Sequence, residues 1–322
     1  LFAIVAATIV HTYFFQPFVI PSSSLEKSLL VGDFLIVSKL HYGPRAPMTT
    51  VGAPMVHDTI PVLNAKSYLF DDNFEERNTS WKNKLQLPYL RLPGFETIER
   101  NDIVVFNQPA DTLLDMNNFT PNRNYYKPID KKTNLVKRCV GVAGDTLEIR
   151  NGYVFINGVQ NKLPSRAKLQ FSYEVSMKQP ITTRAEEYRF MDLLKKIGVN
   201  DGARLNPNTG NYRVFAATDE EIAQLKIQPN IKNVEPVKRI KGEADEIFPR
   251  DPNYNWNVDF FGPVFIPAEG ATVNLNSENI SIYKRAISEY EGHEVVTRGN
   301  QIFIDGQPST AYTFKQDYYW MM

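Results

Sequence analysis

The chain opens with an uncharged apolar run, and the remainder alternates between short apolar segments and polar turns. Residues 1–15 contain no charged side chain when His11 is neutral, although a spanning helix needs about 20 apolar residues. The sequence shows neither a basic segment before the run nor a small-residue cleavage site after it, which disfavours a secretory signal peptide. We therefore expect residues 1–15 to be the outer end of a transmembrane helix whose beginning precedes this sequence.

Three later apolar segments predict β-strands because they are short and rich in β-branched residues. They are Leu29–Lys39, which we expect to be a buried strand, Arg100–Phe106 and Leu135–Val142. Between them, the proline-rich residues 43–100 predict loops and short strands, and the polar residues 111–132 predict a loop.

A hairpin pattern occurs twice in the chain. Thr146–Ile149 and Tyr153–Ile156 flank Asn151-Gly152, a dipeptide typical of tight hairpin turns. Residues 292–306 resemble residues 144–158, and both stretches end in Phe-Ile-Asn/Asp-Gly. Two copies do not make a solenoid, so we interpret them as one hairpin shape used twice in a β-fold.

Residues 160–275 differ from their surroundings because they contain helical patterns. Ala185–Ile197 has acidic residues in its first turn, lysines in its last turn and Gly198 after it, as helices commonly do. Thr218 followed by Glu221 indicates a capping box at the start of a second helix. We interpret residues 160–275 as a lobe inserted into a β-scaffold.

Two patterns mark the return from this lobe to the scaffold. Phe261–Pro267 is an apolar stretch that predicts a strand re-entering the core. Ser277–Tyr290 places apolar side chains on one helical face, and Gly292 follows it as a stop. We therefore expect one strand and one further helix before the second hairpin.

The composition excludes several classes of function. Lysine plus arginine and aspartate plus glutamate both number 36, and this zero net charge argues against a nucleic-acid-binding surface. Cys139 is the only cysteine, so no intramolecular disulfide can form. The four histidines have no metal-ligand spacing, and no P-loop or dinucleotide fingerprint is present. We expect neither a metal nor a cofactor.

Two short segments carry the candidate chemistry. Ser22, Ser23 and Ser24 follow the apolar run directly, and Lys137 lies within an apolar strand pattern on the same face as Cys139. A serine hydroxyl needs a base to act as a nucleophile, and a lysine can be that base when burial lowers its pKa. Taken singly, each feature also has an ordinary explanation: serines often cap helices, and most lysines are solvated.

The order of four motifs, however, resembles the bacterial type I signal peptidases. That family carries Pro-Ser-x-Ser-Met, Leu-Leu-x-Gly-Asp, Arg-Gly-Asp-Ile/Val-Val-Val-Phe and Lys-Arg-x-Val-Gly-x-x-Gly-Asp in this order. The corresponding segments here are Pro21–Leu25, Leu29–Asp33, Arg100–Phe106 and Lys137–Asp145. The resemblance implies a Ser-Lys dyad with Ser24 as the nucleophile and Lys137 as the general base. It also implies that Ser22 donates to the oxyanion hole beside the backbone N–H of Ser24.

The resemblance further implies how a substrate is held and where the enzyme acts. Small apolar pockets would explain cleavage after Ala-x-Ala, and the matching positions are Phe18, Ile20, Pro21, Val105 and Val136. The expected partners are preproteins that carry a signal peptide and the lipid bilayer, with no nucleic acid and no metal. The expected location is the bacterial inner (plasma) membrane, with the catalytic domain on the outer, periplasmic face.

The fold implied is mainly β: a signal-peptidase-like β-rich catalytic core with an inserted α/β lobe and an N-terminal transmembrane helix. We divide the chain into the helix end (1–15), the first part of the core (16–159), the lobe (160–275) and the second, incomplete part of the core (276–322). The family's Gly-Asp-Asn-Arg box is absent after Met322. We therefore expect this sequence to be a fragment, and its activity without that box is an open question.

Two alternatives remain at this point. A self-cleaving repressor would share the Ser-Lys chemistry, but it would carry a DNA-binding segment and no apolar N-terminal run. A non-catalytic or degenerate membrane-anchored β-rich binding protein would be expected to lack Ser24 or Lys137, and both are present. The absent C-terminal box is the one feature that favours this second alternative.

Overall fold

A computed structural model describes residues 1–60, 63, 65–73, 75–109 and 127–322. Over these residues the chain is β-rich, with many short strands and few helices. It divides into two compact units. Unit 1 comprises Leu1–Pro21 and Val31–Arg138, and unit 2 comprises Ser22–Leu30 and Cys139–Met322. The predicted loop at 111–132 lies mostly outside the described residues.

Unit 1 begins with a short apolar helix, α1 (Phe2–Tyr13), of 12 residues. Among the described residues, no helix is both long enough and apolar enough to span a membrane. The transmembrane helix predicted around residues 1–15 therefore stays a prediction.

The antiparallel pair that follows α1 has an uncovered apolar face. Strand β1 (Phe15–Val19) pairs with β2 (Phe34–Ser38). The expectation of a buried strand over Leu29–Lys39 is wrong, because the strand begins only at Phe34, and Phe34 and Ile36 are 86% and 78% exposed. The physical reason is that alternate residues of a two-stranded sheet point to opposite faces, and one face of this pair is not packed.

The remaining strands of unit 1 are short, except the last. They are β3 (Thr59–Ile60), β4 (Ala65–Lys66), β5 (Ile103–Asn107) and β6 (Asn134–Gly141). Strands β5 and β6 are antiparallel, and β6 continues into unit 2 at Cys139. The two strands predicted at Arg100–Phe106 and Leu135–Val142 are confirmed, with ends that differ by a few residues.

Unit 2 continues with the predicted hairpin. Strands β7 (Thr146–Arg150) and β8 (Tyr153–Ile156) pair across Asn151 and Gly152, whose φ angles are 55° and 83°. Both angles are positive, as the turn type that fits the twist of a hairpin requires. A short strand β9 (Val159–Gln160) pairs with β8.

The middle of unit 2 is an antiparallel sheet with two helices, which we name the α/β sheet. Its elements are β10 (Phe171–Met177), α2 (Arg184–Ile197), β11 (Ala203–Leu205), β12 (Tyr212–Ala217), α3 (Asp219–Lys226) and β13 (Ile231–Pro236). The strand order is β11-β12-β10-β13. Thr183 and Thr218 form the capping boxes that begin α2 and α3, so both predicted helices are confirmed. The domain limits at 15, 159 and 275 stay predictions.

The last part of unit 2 returns to strands. It contains β14 (Phe260–Phe265), β15 (Thr272–Asn274), α4 (Ile280–Arg285), β16 (Val295–Arg298), β17 (Gln301–Ile304), β18 (Gln307–Pro308), β19 (Ala311–Thr313) and β20 (Trp320–Met321). Strand β14 pairs with β7, and β16 and β17 form the second hairpin. The helix predicted over Ser277–Tyr290 is shorter, since α4 gives way to a π-helical turn at Ala286–Tyr290.

The α/β sheet has a core of its own. Leu194 of α2 is fully buried among apolar side chains of the sheet, including Val175 and Val214. Leu194→Ala would remove those contacts and leave a cavity, so we expect the free energy of unfolding to fall by about 2–5 kcal/mol. Denaturant titration of both proteins would measure the difference.

Leu205→Ala is the matched control, because Leu205 lies in the same sheet but is 44% exposed. We expect this exposed substitution to change the stability by about 0.5 kcal/mol or less. Equal losses for the two variants would contradict the assignment of the core.

Candidate active site

The candidate nucleophile lies in unit 2 on a tight turn, within a stretch that we name the serine segment (Ser22–Leu30). A 3₁₀ turn spans Ser23–Leu25, and Ser22 precedes it with extended backbone. The side chains of Ser22 and Ser24 are exposed, whereas Leu25 and Glu26 are buried. The turn thus anchors the segment by its C-terminal half and leaves both candidate serines accessible.

The candidate base lies in unit 1 on β6. Lys137 is half-buried, and its register partner on β5 is Val104, which is buried. The neighbouring Arg138 is buried and donates a 2.7 Å hydrogen bond to the backbone oxygen of Asn101. Lys137 therefore lies on a paired strand, next to a residue whose side chain is held by a hydrogen bond.

The five predicted pocket residues occupy two places in unit 1. Val105 and Val136 are register partners on β5 and β6, and both are half-buried. Phe18 is half-buried, Ile20 is buried and Pro21 is exposed, all at the end of β1. The backbone of Ile20 is held because its N–H donates to Asp33 O at 3.0 Å and its oxygen accepts from Gly32 N–H at 2.9 Å.

These residues come together only in part. The structure pairs Val105 with Val136 and places Ser22 beside the turn that carries Ser24. Ser24 belongs to unit 2, whereas Lys137 belongs to unit 1. The Ser-Lys dyad and the shared substrate pocket therefore stay predictions.

A second lysine in unit 1 has an unusual environment that the sequence reasoning missed. Burial, and to a smaller extent the charge of Arg45, lowers the pKa of Lys39 to about 8. Its backbone N–H donates to Phe14 O at 2.8 Å, which fixes the end of β2 against the end of α1. The position of Lys39 at the end of an apolar run was the available signal, but the run alone does not indicate what covers its side chain.

No metal centre emerges from the described part of the chain. Within the ranges given above, no three His, Cys, Asp or Glu side chains are grouped so that they could hold an ion. Cys139 is fully buried, and its thiol donates to Gly141 O at 3.4 Å.

The depressed pKa of Lys39 gives a test of its burial. Between about 8 and 10.5, the folded and unfolded values, the unfolded chain binds more protons. The contribution of Lys39 to the free energy of unfolding therefore rises with pH across this window. It is fully present above about pH 10.5 and is lost as the pH falls through about 8. Lys39→Met should be most stabilising, relative to wild type, at pH 7.5 and lose that advantage towards about pH 10.5.

Urea denaturation of both proteins at several pH values would measure this difference. Tyrosines also titrate at high pH, but they are common to both proteins and cancel in the comparison. A stability difference that stays constant with pH would contradict the buried environment of Lys39.

Comparison with known proteins identifies the family. The profile of the family "Signal peptidase, peptidase S26" matches residues 1–205. Among curated proteins, signal peptidase I of Pseudomonas aeruginosa is 26% identical over 151 residues, which are 47% of this chain and 33% of that protein.

Signal peptidase I of Buchnera aphidicola subsp. Schizaphis graminum is 44% identical over 140 residues, covering 44% of this chain and 26% of that protein. A shorter match of 49 residues, 47% identical, occurs with signal peptidase I of Haemophilus influenzae and covers 15% of this chain and 14% of that protein. The matched part thus spans about a third or less of the length of these relatives. Because the profile covers well over half of the 322 residues, including the serine segment and β6, the chain belongs to the signal peptidase family, peptidase S26.

Proposed function

We propose that this protein is a membrane-bound serine endopeptidase that removes N-terminal signal peptides from exported preproteins. The observation that carries the proposal is the family match over residues 1–205, which includes both Ser24 and Lys137. Small residues of the Ala-x-Ala type would precede the cleaved bond, because the family resemblance assigns Val105 and Val136 to the walls of shallow apolar pockets. The location that goes with this role is the bacterial inner membrane, with the catalytic part on its outer, periplasmic face.

In the proposed first step, Ser24 attacks the carbonyl carbon of the scissile peptide bond. Lys137 Nζ accepts the hydroxyl proton as the Ser24 Oγ–C bond forms. The exposed position of Ser24 on its turn supports this role, because a nucleophile must be reachable by an extended peptide. The half-buried position of Lys137 beside apolar neighbours supports the role of base.

The developing oxyanion needs donors that are already in place. The backbone N–H of Ser24 and the hydroxyl of Ser22 are the proposed pair, and Ser22 lies exposed at the start of the same turn. When the intermediate collapses, the C–N bond breaks and Lys137 returns its proton to the leaving amine. Water then hydrolyses the acyl-enzyme by the same route, with Lys137 taking the water proton and returning it to Ser24.

The dyad predicts that single substitutions abolish cleavage. Ser24→Ala removes the nucleophile and Lys137→Ala removes the base, so each should lower kcat by about 10⁴-fold or more while the fold is retained. The assay follows mature product from a preprotein with an Ala-x-Ala site, using the full natural chain in detergent.

Ser309→Ala and Lys284→Ala are matched controls, since Lys284 is exposed, Ser309 is half-buried and neither belongs to the serine segment or to β6. Both should cleave like wild type. A preprotein with Leu in place of the alanine before the cleaved bond should remain uncut. Cleavage by both dyad variants at the wild-type rate would rule out the mechanism, and an inactive wild type would favour a binding role.

The oxyanion donor should have a smaller effect than the dyad. Ser22→Ala deletes one donor and leaves the backbone N–H of Ser24, so we expect kcat to fall by about 10²- to 10³-fold with little change in KM. Ser22→Thr keeps the hydroxyl and should retain more activity than the alanine variant. If Ser22→Ala cleaved as fast as wild type, Ser22 would have no part in the oxyanion hole.

A further inference from the structure

The serine segment is fastened to the α/β sheet by polar contacts, all of which lie inside unit 2. Ser23 Oγ donates a hydrogen bond to Asp201 Oδ2 at 2.9 Å. Glu26 Oε1 accepts one from Asn200 Nδ2, also at 2.9 Å. Lys27 Nζ donates to Gly198 O at 3.1 Å and forms an ion pair with Glu221 Oε1 at 2.5 Å. Three of these partners belong to one short loop, Gly198–Asp201, which directly follows α2. Glu221 lies in α3, and Ser28 Oγ donates a further hydrogen bond to Arg166 O (3.3 Å), so the loop after α2 supplies most but not all of the partners.

The Lys27–Glu221 ion pair is the most buried of these contacts. The side chains of Lys27 and Glu221 are only 25% and 6% exposed. Glu221 also accepts from the Thr218 backbone N–H at 2.8 Å through its other oxygen, so its carboxylate is fixed by the capping box of α3. A buried charge needs a partner, and removing one member of such a pair leaves the other uncompensated.

Gly198 makes room for this pair. It ends α2 in the left-handed region, with φ of 103°, as a C-terminal glycine commonly does. A Cβ atom at this position would lie 2.7 Å from Glu221 Oε1 and 3.4 Å from Lys27 Nζ. The end of α2 is therefore shaped around the ion pair.

The backbone of the serine segment also needs support from outside. Lys27 has a φ angle of 71°, in the left-handed region that residues other than glycine rarely adopt. Such a conformation persists only where surrounding contacts fix it, and it occurs preferentially at functional sites. The contacts of Lys27 with Gly198 and Glu221 supply that constraint three residues after Ser24.

We propose that Gly198–Asp201 and Glu221 are positioning elements that hold the turn carrying Ser24 in its reactive orientation. The inference rests on the proposed function, because it assigns to the α/β sheet a part in that reaction. The anchors act on Ser23, Glu26 and Lys27, on both sides of Ser24, while Ser24 itself stays exposed for the substrate. A displacement of about 1 Å at a reacting atom can cost about a hundredfold in rate.

Lys27→Met tests the proposal because it keeps the length of the side chain and removes its charge. We expect kcat for preprotein cleavage to fall by about 10- to 100-fold, with KM changed less than about twofold. Amide hydrogen exchange of residues 22–30 should become faster, while exchange in β10 and β12 stays as in wild type. Lys27→Arg keeps the charge and should restore most of kcat.

Lys196→Met is the matched control. Lys196 lies in the last turn of α2 and pairs with Asp192 at 2.7 Å, and both side chains are largely exposed. This variant makes the same lysine-to-methionine change outside the serine segment, so it should leave kcat and the exchange of residues 22–30 unchanged. Asp201→Ala is a second probe. Asp201 is exposed, so removing its carboxylate deletes the hydrogen bond from Ser23 and leaves no buried charge unpaired. We expect this variant to lower kcat several-fold even if Lys27→Met folds poorly.

The outcomes separate the proposal from the proposed function. Faster exchange with a lower kcat in both Lys27→Met and Asp201→Ala, but not in Lys196→Met, would support positioning. Unchanged kcat in both probes would overturn it, whether or not the exchange changes. A kcat loss in Lys27→Met that only follows a lower folded fraction, with Asp201→Ala active as wild type, would likewise overturn it. A wild type that leaves the preprotein uncut would instead refute the proposed function, and the exchange rates would still decide whether the loop anchors the segment.

Discussion

The buried carboxylate of Glu221 connects three parts of unit 2. One oxygen accepts a hydrogen bond from the backbone N–H of Thr218, the residue that caps the start of α3. The other oxygen forms the ion pair with Lys27 of the serine segment. The end of α2 leaves space for the pair because Gly198 has no side chain. Since a buried charge is stable only with its partners in place, the helix start, the helix end and the serine segment depend on one another.

The apolar core makes this arrangement possible. Leu194 and Leu225, one from each helix, are fully buried against the strands of the α/β sheet. This packing holds both helices on the sheet, and the serine segment contacts the loop after α2 and Glu221 of α3. The burial of apolar surface supplies most of the stability, and the polar contacts determine the position of the segment.

Unit 1 presents the opposite situation, in which apolar side chains remain uncovered. Phe34 and Ile36 are largely exposed on β2, while Lys39 at the end of the same strand is buried enough to lower its pKa. Periodicity in the sequence identifies strands but cannot tell which face is covered. For that reason the apolar run Leu29–Lys39 led us to expect a buried strand. The strand that forms is Phe34–Ser38, and it is partly exposed.

Local patterns in the sequence were enough to predict several elements and to indicate the family. The hairpin at Asn151-Gly152 and the capping boxes at Thr183 and Thr218 follow from signals within a few residues, and four ordered motifs were enough to indicate the family. The ion pair of Lys27 with Glu221 and the desolvation of Lys39, in contrast, became visible only in the folded chain. Pairing and desolvation depend on what packs against a side chain, and the folded chain decides this: Lys27 and Glu221, for example, are far apart in the sequence, where no local pattern specifies their pairing.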